Sequence, residues 1–71
     1  MSVIDQLNDT KTRAFARHCY EKGSEEQLRK AAEGPADRKE MKHWDITEGE
    51  WEEAVAAALA DKEMKDHPPG D

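Results

Sequence analysis

Large aliphatic side chains are scarce in this sequence: of 71 residues only eight are Leu, Ile, Val or Phe, and alanine supplies ten of the apolar positions. A core that thin, with a net charge of −6 and 39% charged residues, falls in the compositional range of disordered chains and allows one small domain at most. No run of about 18 apolar residues exists, the longest being Ala54–Ala60, which excludes a membrane-spanning helix. A basic stretch followed by an apolar one is missing from the opening residues, so no signal peptide is expected. One cysteine, Cys19, cannot close an intrachain disulfide, and this suits a reducing cytoplasm. Strand signals are nearly absent, because Val, Ile, Thr, Tyr and Phe nowhere alternate with polar residues over four positions.

Helix-start signals, by contrast, recur. Ser24-Glu25-Glu26-Gln27 and Thr47-Glu48-Gly49-Glu50 each place a hydroxyl at a cap and a Gln or Glu three residues later, the arrangement that satisfies two orphan backbone donors reciprocally. At the second start, Ile46 and Trp51 are spaced to close a hydrophobic staple. Gly23 and Gly34 are natural stops, and Pro35 fits a first helical position. The reading is an all-α bundle of three to four short helices, over about 2–22, 24–33, 35–43 and 47–66, forming one helical domain over residues 1–66. Asn8-Asp9-Thr10 offers an alternative break in the first helix. His67-Pro68-Pro69-Gly70-Asp71 cannot continue a helix and is expected to be a disordered tail.

Helical spacing puts Ile4, Leu7, Ala14, Phe15, His18 and Cys19 on one face of the first helix, and Trp51, Val55, Ala58 and Leu59 on a stripe of the last. Leu28 and Ala31-Ala32 serve the second helix, while Met41, Trp44 and Ile46 cover the corner before the last. Such a core seldom supplies more than about 3–5 kcal/mol. The chain is therefore either a modest monomer or one that completes its core on a partner or a second copy. The alanine run would let another helix approach closely, although high helix propensity alone explains it.

Acidity is concentrated late in the chain. Residues 47–71 carry eight acids against Lys62 and Lys65, whereas residues 1–22 carry Asp5, Asp9 and Glu21 against Lys11, Arg13, Arg17 and Lys22. The carboxylates of the last helix, with Glu48, Glu52, Glu53, Asp61 and Asp66 among them, form a negative field able to steer toward a basic surface such as the nucleic-acid groove of another protein. A solvated helix face is the plainer account. The basic residues of the first helix could contact nucleic acid through Lys11, Arg13 and Arg17, but a solvated face or pairing within the molecule with the acidic last helix is the expected role.

The stretch Arg38 to Ala54 has the spacing of a helix-turn-helix, with a short helix ending near Trp44, a tight corner and a second helix opening at Thr47. Asp45 stands where that motif favours glycine, however, and the would-be recognition helix opens with Glu48, Glu50, Glu52 and Glu53, which repel phosphate. A structural corner is the better reading. His18, Cys19, His43 and His67 lack the short fixed spacings of metal ligands, so neither a metal nor another cofactor is expected. Cys19 reads as a small buried residue, not a nucleophile. About ten large apolar residues cannot wall a pocket that excludes water, so no catalytic residues are assigned and no enzyme is expected.

Leu28-Arg29-Lys30-Ala31-Ala32 and Asp45 through Val55 look distantly like the helical leader region of Nif11-type peptide precursors, over less than half of the chain. The Gly-Gly or Gly-Ala processing site of such leaders is missing, and the resemblance implies no function here. The sequence therefore points to a small acidic protein-binding protein, a regulator, adaptor or inhibitor of bacterial or phage type. Its expected contact surface is the Trp44–Trp51 corner with Glu48, Glu52, Glu53 and Leu59. A DNA-binding regulator and a self-associating structural protein, a homodimer for instance, are the alternatives.

Overall fold

A computed structural model describes residues 2–66; the expected tail at 67–71, with His67, lies outside the described residues. A 3-10 turn over Ile4–Gln6 leads into four α-helices, α1 (Thr10–Lys22), α2 (Glu25–Glu33), α3 (Arg38–Trp44) and α4 (Glu48–Asp66), with no strand among the described residues. The all-α bundle is thus the observed architecture.

The first helix is not continuous from residue 2, and it breaks where Asn8-Asp9-Thr10 allows. Asp9 takes an extended conformation and its carboxylate accepts the Thr12 amide at 2.9 Å and the Thr12 hydroxyl at 2.8 Å. A short polar side chain that can bond the backbone locally competes with the helix ladder and wins at a cap. Ile4 and Leu7 therefore lie outside the register of α1. The buried face of α1 is Thr12, Phe15 and Ala16, and Ala14, expected inward, is exposed.

Both capping boxes form as their spacing predicts. In α2, Ser24 Oγ accepts from Gln27 N at 3.2 Å and Gln27 Oε1 accepts from Ser24 N at 3.0 Å. In α4, Thr47 Oγ1 accepts from Glu50 N at 3.2 Å and Glu50 Oε1 accepts from Thr47 N at 2.8 Å. The third helix starts later than Pro35, because the Asp37 carboxylate accepts from Lys39 N at 2.9 Å and Glu40 N at 3.2 Å and so fixes the entry at Arg38. At its other end Asp45 adopts the left-handed conformation, φ 55°, which Asp tolerates better than most residues. The chain then reverses, with the Ile46 amide donating to the Met41 carbonyl at 3.0 Å.

Helix α4 is the axis on which α1 and α2 pack. Ala16, Ala54 and Ala58 are all fully buried. Their small side chains let α1 and α4 approach closely, so much of the alanine run is used inside the molecule, leaving Ala56 exposed. Around them Ile4, Leu7, Phe15, Leu28, Ile46, Trp51 and Val55 complete the core. Leu28 is the only fully buried side chain of α2; Ala31 is half-buried and Ala32 exposed. Helix α3 meets the core through the half-buried Met41 and Trp44.

Candidate interaction surface

The two indoles, expected to share one corner, have different surroundings. Trp51 is 5% exposed and lies 6.3 Å from Phe15, centroid to centroid. It is a core residue, so the expectation that it joins an exposed contact surface is corrected: the staple position that places it at the fourth residue of α4 turns it inward. Its Nε1 has no hydrogen-bond partner among the described residues. Trp44 is half-buried, with Phe15 at 5.6 Å, His18 at 5.2 Å and His43 edge-on at 5.7 Å. Its Nε1 donates to Glu40 Oε2 at 3.1 Å. Leu59 is half-buried against the core.

Glu48, Glu52 and Glu53 are exposed. None of the three has an ion-pair or side-chain hydrogen-bond partner among the described residues, whereas Glu50 is occupied by the capping box and by the Thr12 hydroxyl at 3.3 Å. Leu59 lies two turns along from Glu52, on the same flank of α4. The two lysines of α4 stand elsewhere. Lys62 donates to the Tyr20 carbonyl at 2.7 Å and sits 4.8 Å from the Tyr20 ring centroid, and Lys65 lies 5.9 Å from that centroid.

Two basic residues of α1 make exposed ion pairs, but not with the acidic helix. Lys11 pairs with Asp45, next to the corner, and Arg17 pairs with Asp5 at 2.9 Å. Arg13 reaches the Leu7 carbonyl at 3.5 Å. Their pairing with α4, expected from charge alone, is replaced by pairing with aspartates of the segments flanking α1 and α3. The ion pair to α4 comes instead from α2, Arg29 to Glu63 at 3.6 Å. The cations without an ion pair among the described residues include Arg38, Lys39 and Lys42, all exposed on α3. Their closeness in sequence, directly after the Asp37 cap, was the available signal for this basic helix.

Asp61, counted by its charge as part of the surface field, is buried at 8% exposure. Its carboxylate accepts the Ser2 hydroxyl, the Val3 amide at 2.7 Å and the Ile4 amide at 3.0 Å. Burial pushes this carboxyl upward, yet the hydrogen bonds from Ser2, Ile4 and Val3 together outweigh it and hold the group below the ordinary carboxylate range. The sequence signal was positional. Residues 51, 54, 55, 58 and 61 fall on one helical face, and the inward face of α4 continues to that point.

The Cys19 thiol is pushed up to about 11, chiefly by burial and secondarily by the Glu40 charge. No group of three or more His, Cys, Asp or Glu able to hold a metal is present among the described residues. The depressions are open ones. A cleft of about 510 Å³, lined by Ile4, Arg17, Tyr20, Met64 and Lys65 among others, lies between α1 and the end of α4. A smaller one of about 350 Å³ runs beside Trp44, His18 and His43. No family model matches the chain, and neither a curated protein nor a solved structure does.

Proposed function

We propose that this chain acts by stoichiometric binding to another protein, presenting the outer face of α4 to a basic surface as a regulator, adaptor or inhibitor. The observation that carries this reading is the state of the charges. Glu48, Glu52 and Glu53 are exposed and unpartnered among the described residues, while Lys11 and Arg17 pair at the surface with Asp45 and Asp5. Unmatched charge on a rigid helix is available for steering and orientation. Leu59 supplies apolar area at the edge of that face, and Trp44 stands apart from it on α3. Among the described residues no helix is long and apolar enough to cross a membrane; a cytoplasmic location is part of the proposal, because a single cysteine suits a reducing compartment.

Charge reversal tests it. The triple variant Glu48→Lys, Glu52→Lys, Glu53→Lys should keep the helical circular dichroism of the parent and lose its captured partner, and the parent complex should weaken steeply as salt rises. Capture that is indifferent to both salt and reversal would overturn the proposal.

The helix-turn-helix reading has two observations in its favour: Asp45 takes the left-handed corner, and α3 carries Arg38, Lys39 and Lys42 without ion-pair partners among the described residues. The helix that would enter the groove nevertheless opens with exposed carboxylates. A low-salt gel-shift series separates the readings, and retardation of duplex DNA lost with Lys39→Glu and Lys42→Glu would favour the DNA-binding one.

A further inference from the structure

Helix α3 is the least anchored element of the fold. It has seven residues and no buried side chain, whereas each of the other helices among the described residues buries at least one. What it sets against the core is the half-buried pair Met41 and Trp44, with the Trp44 ring 5.6 Å from Phe15 and 5.2 Å from His18. Among the described residues no hydrogen bond or ion pair joins Arg38–Trp44 to α1, α2 or α4, and the nearest tie is the exposed Lys11–Asp45 pair just past its end. Both of its connections permit movement. Gly34 and Pro35 precede it, the proline without a backbone donor. Asp45 follows in the left-handed conformation, φ 55° and ψ 51°, whose steric cost to a residue with a Cβ is relieved when the hinge opens. Ile46 behind it is buried, so the pivot is Asp45.

We infer that α3 is a lid over Phe15 that opens as one unit while α1, α2 and α4 stay packed. Most of the core lies outside it, since Phe15, Ala16, Leu28, Trp51, Val55 and Ala58 all belong to the other three helices. A helix of seven residues is marginal by itself in water, so once Trp44 leaves Phe15 the helix melts and its backbone bonds go together. The Ile46 amide, which donates to the Met41 carbonyl at 3.0 Å, is released in the same event although its own side chain remains in the core. Opening uncovers the Phe15 ring and lets Arg38, Lys39 and Lys42 move relative to the acidic face of α4. The corner between α3 and α4 is thus a hinge between two charged surfaces and not a rigid angle.

Native-state hydrogen exchange of the wild-type chain tests the lid. The amides of Met41, Lys42, His43, Trp44 and Ile46 should share one protection factor, on the order of tenfold or more below those of Val55 and Ala58. Low concentrations of urea should speed exchange at Val55 and Ala58, whose release exposes the whole core, and leave the α3 set nearly unchanged, because the lid exposes little surface. Equal protection with the same urea dependence would mean that α3 opens only on global unfolding, and the inference falls. Protection that declines residue by residue toward one end of α3, with Ile46 as protected as α4, would show fraying and overturns it as well.

Discussion

Trp44 donates its indole N–H to Glu40, 3.1 Å away and one helical turn back along α3, while seven residues later Trp51 keeps its own N–H without a partner among the described residues. The difference separates a boundary residue from a core one. An amphipathic ring at the edge of a core can direct its polar end outward; a ring enclosed by Phe15 and the helix axis gives that up for apolar burial.

Substitution at Trp51 should therefore act through stability. Trp51→Ala is expected to cost about 3–5 kcal/mol, as much as the about 3–5 kcal/mol that a core of this size seldom exceeds, and to abolish the cooperative thermal transition seen by circular dichroism. Trp51→Phe should retain the transition, because it keeps an aromatic ring against Phe15 and removes a buried donor whose desolvation costs about 1–3 kcal/mol. A wild-type melt for Trp51→Ala would contradict the placement.

Two glycines should respond to alanine in opposite directions. At Gly49 a Cβ would meet nothing within 4 Å, so Gly49→Ala should stabilise α4 by about 0.5–1 kcal/mol through reduced backbone freedom in the unfolded chain. At Gly23 the added carbon would lie 3.0 Å from the Cys19 carbonyl oxygen and 3.2 Å from Leu28. The backbone or the one buried side chain of α2 must shift, and the melting temperature should fall. Paired thermal melts check both signs.

Acid should destabilise the fold through Asp61. Its folded carboxyl ionises below the ordinary value of 3.8, so the unfolded chain binds the proton first. The stabilisation is fully present above the unfolded value and is lost as pH falls through the lower folded one. Asp9 is shifted the same way, first by the Thr12 amide and then by the Thr12 hydroxyl. Denaturant midpoints measured from neutral pH down through this window should decline, and Asp61→Asn should lower the neutral-pH midpoint while flattening the decline. An unchanged acid limb in that variant would contradict the role given to the carboxylate.

Cys19 should alkylate slowly while the chain is folded. Ionising near 11 instead of 9.0, it carries about a hundredfold less thiolate at mildly alkaline pH. The higher nucleophilicity of a more basic thiolate recovers part of that, leaving a rate reduction of about tenfold. Iodoacetamide labelling of native and urea-unfolded chains, followed by mass spectrometry, measures the ratio. Equal rates would show a thiol in ordinary solvent.

Local chemistry made the helices legible. Ser24 with Gln27 and Thr47 with Glu50 form their boxes as spaced, and Gly23 and Gly34 end helices as expected. These are contests between a side chain and the backbone a few residues away, and the sequence contains both contestants. Where two local signals competed, at Asn8-Asp9-Thr10 and at Pro35 against Asp37, the better acceptor set the boundary.

The sequence by itself determined the all-α class, the caps and the surplus of negative charge, because each depends on neighbours along the chain or on composition alone. Only the tertiary structure decided that Trp51 faces inward while Trp44 stays at the margin, that Lys11 and Arg17 answer Asp45 and Asp5 and not α4, and that Asp61 leaves the acidic field to hold the Ile4 amide 57 residues away. Each of these pairings joins residues far apart in sequence, and charge or polarity states only that a partner is needed.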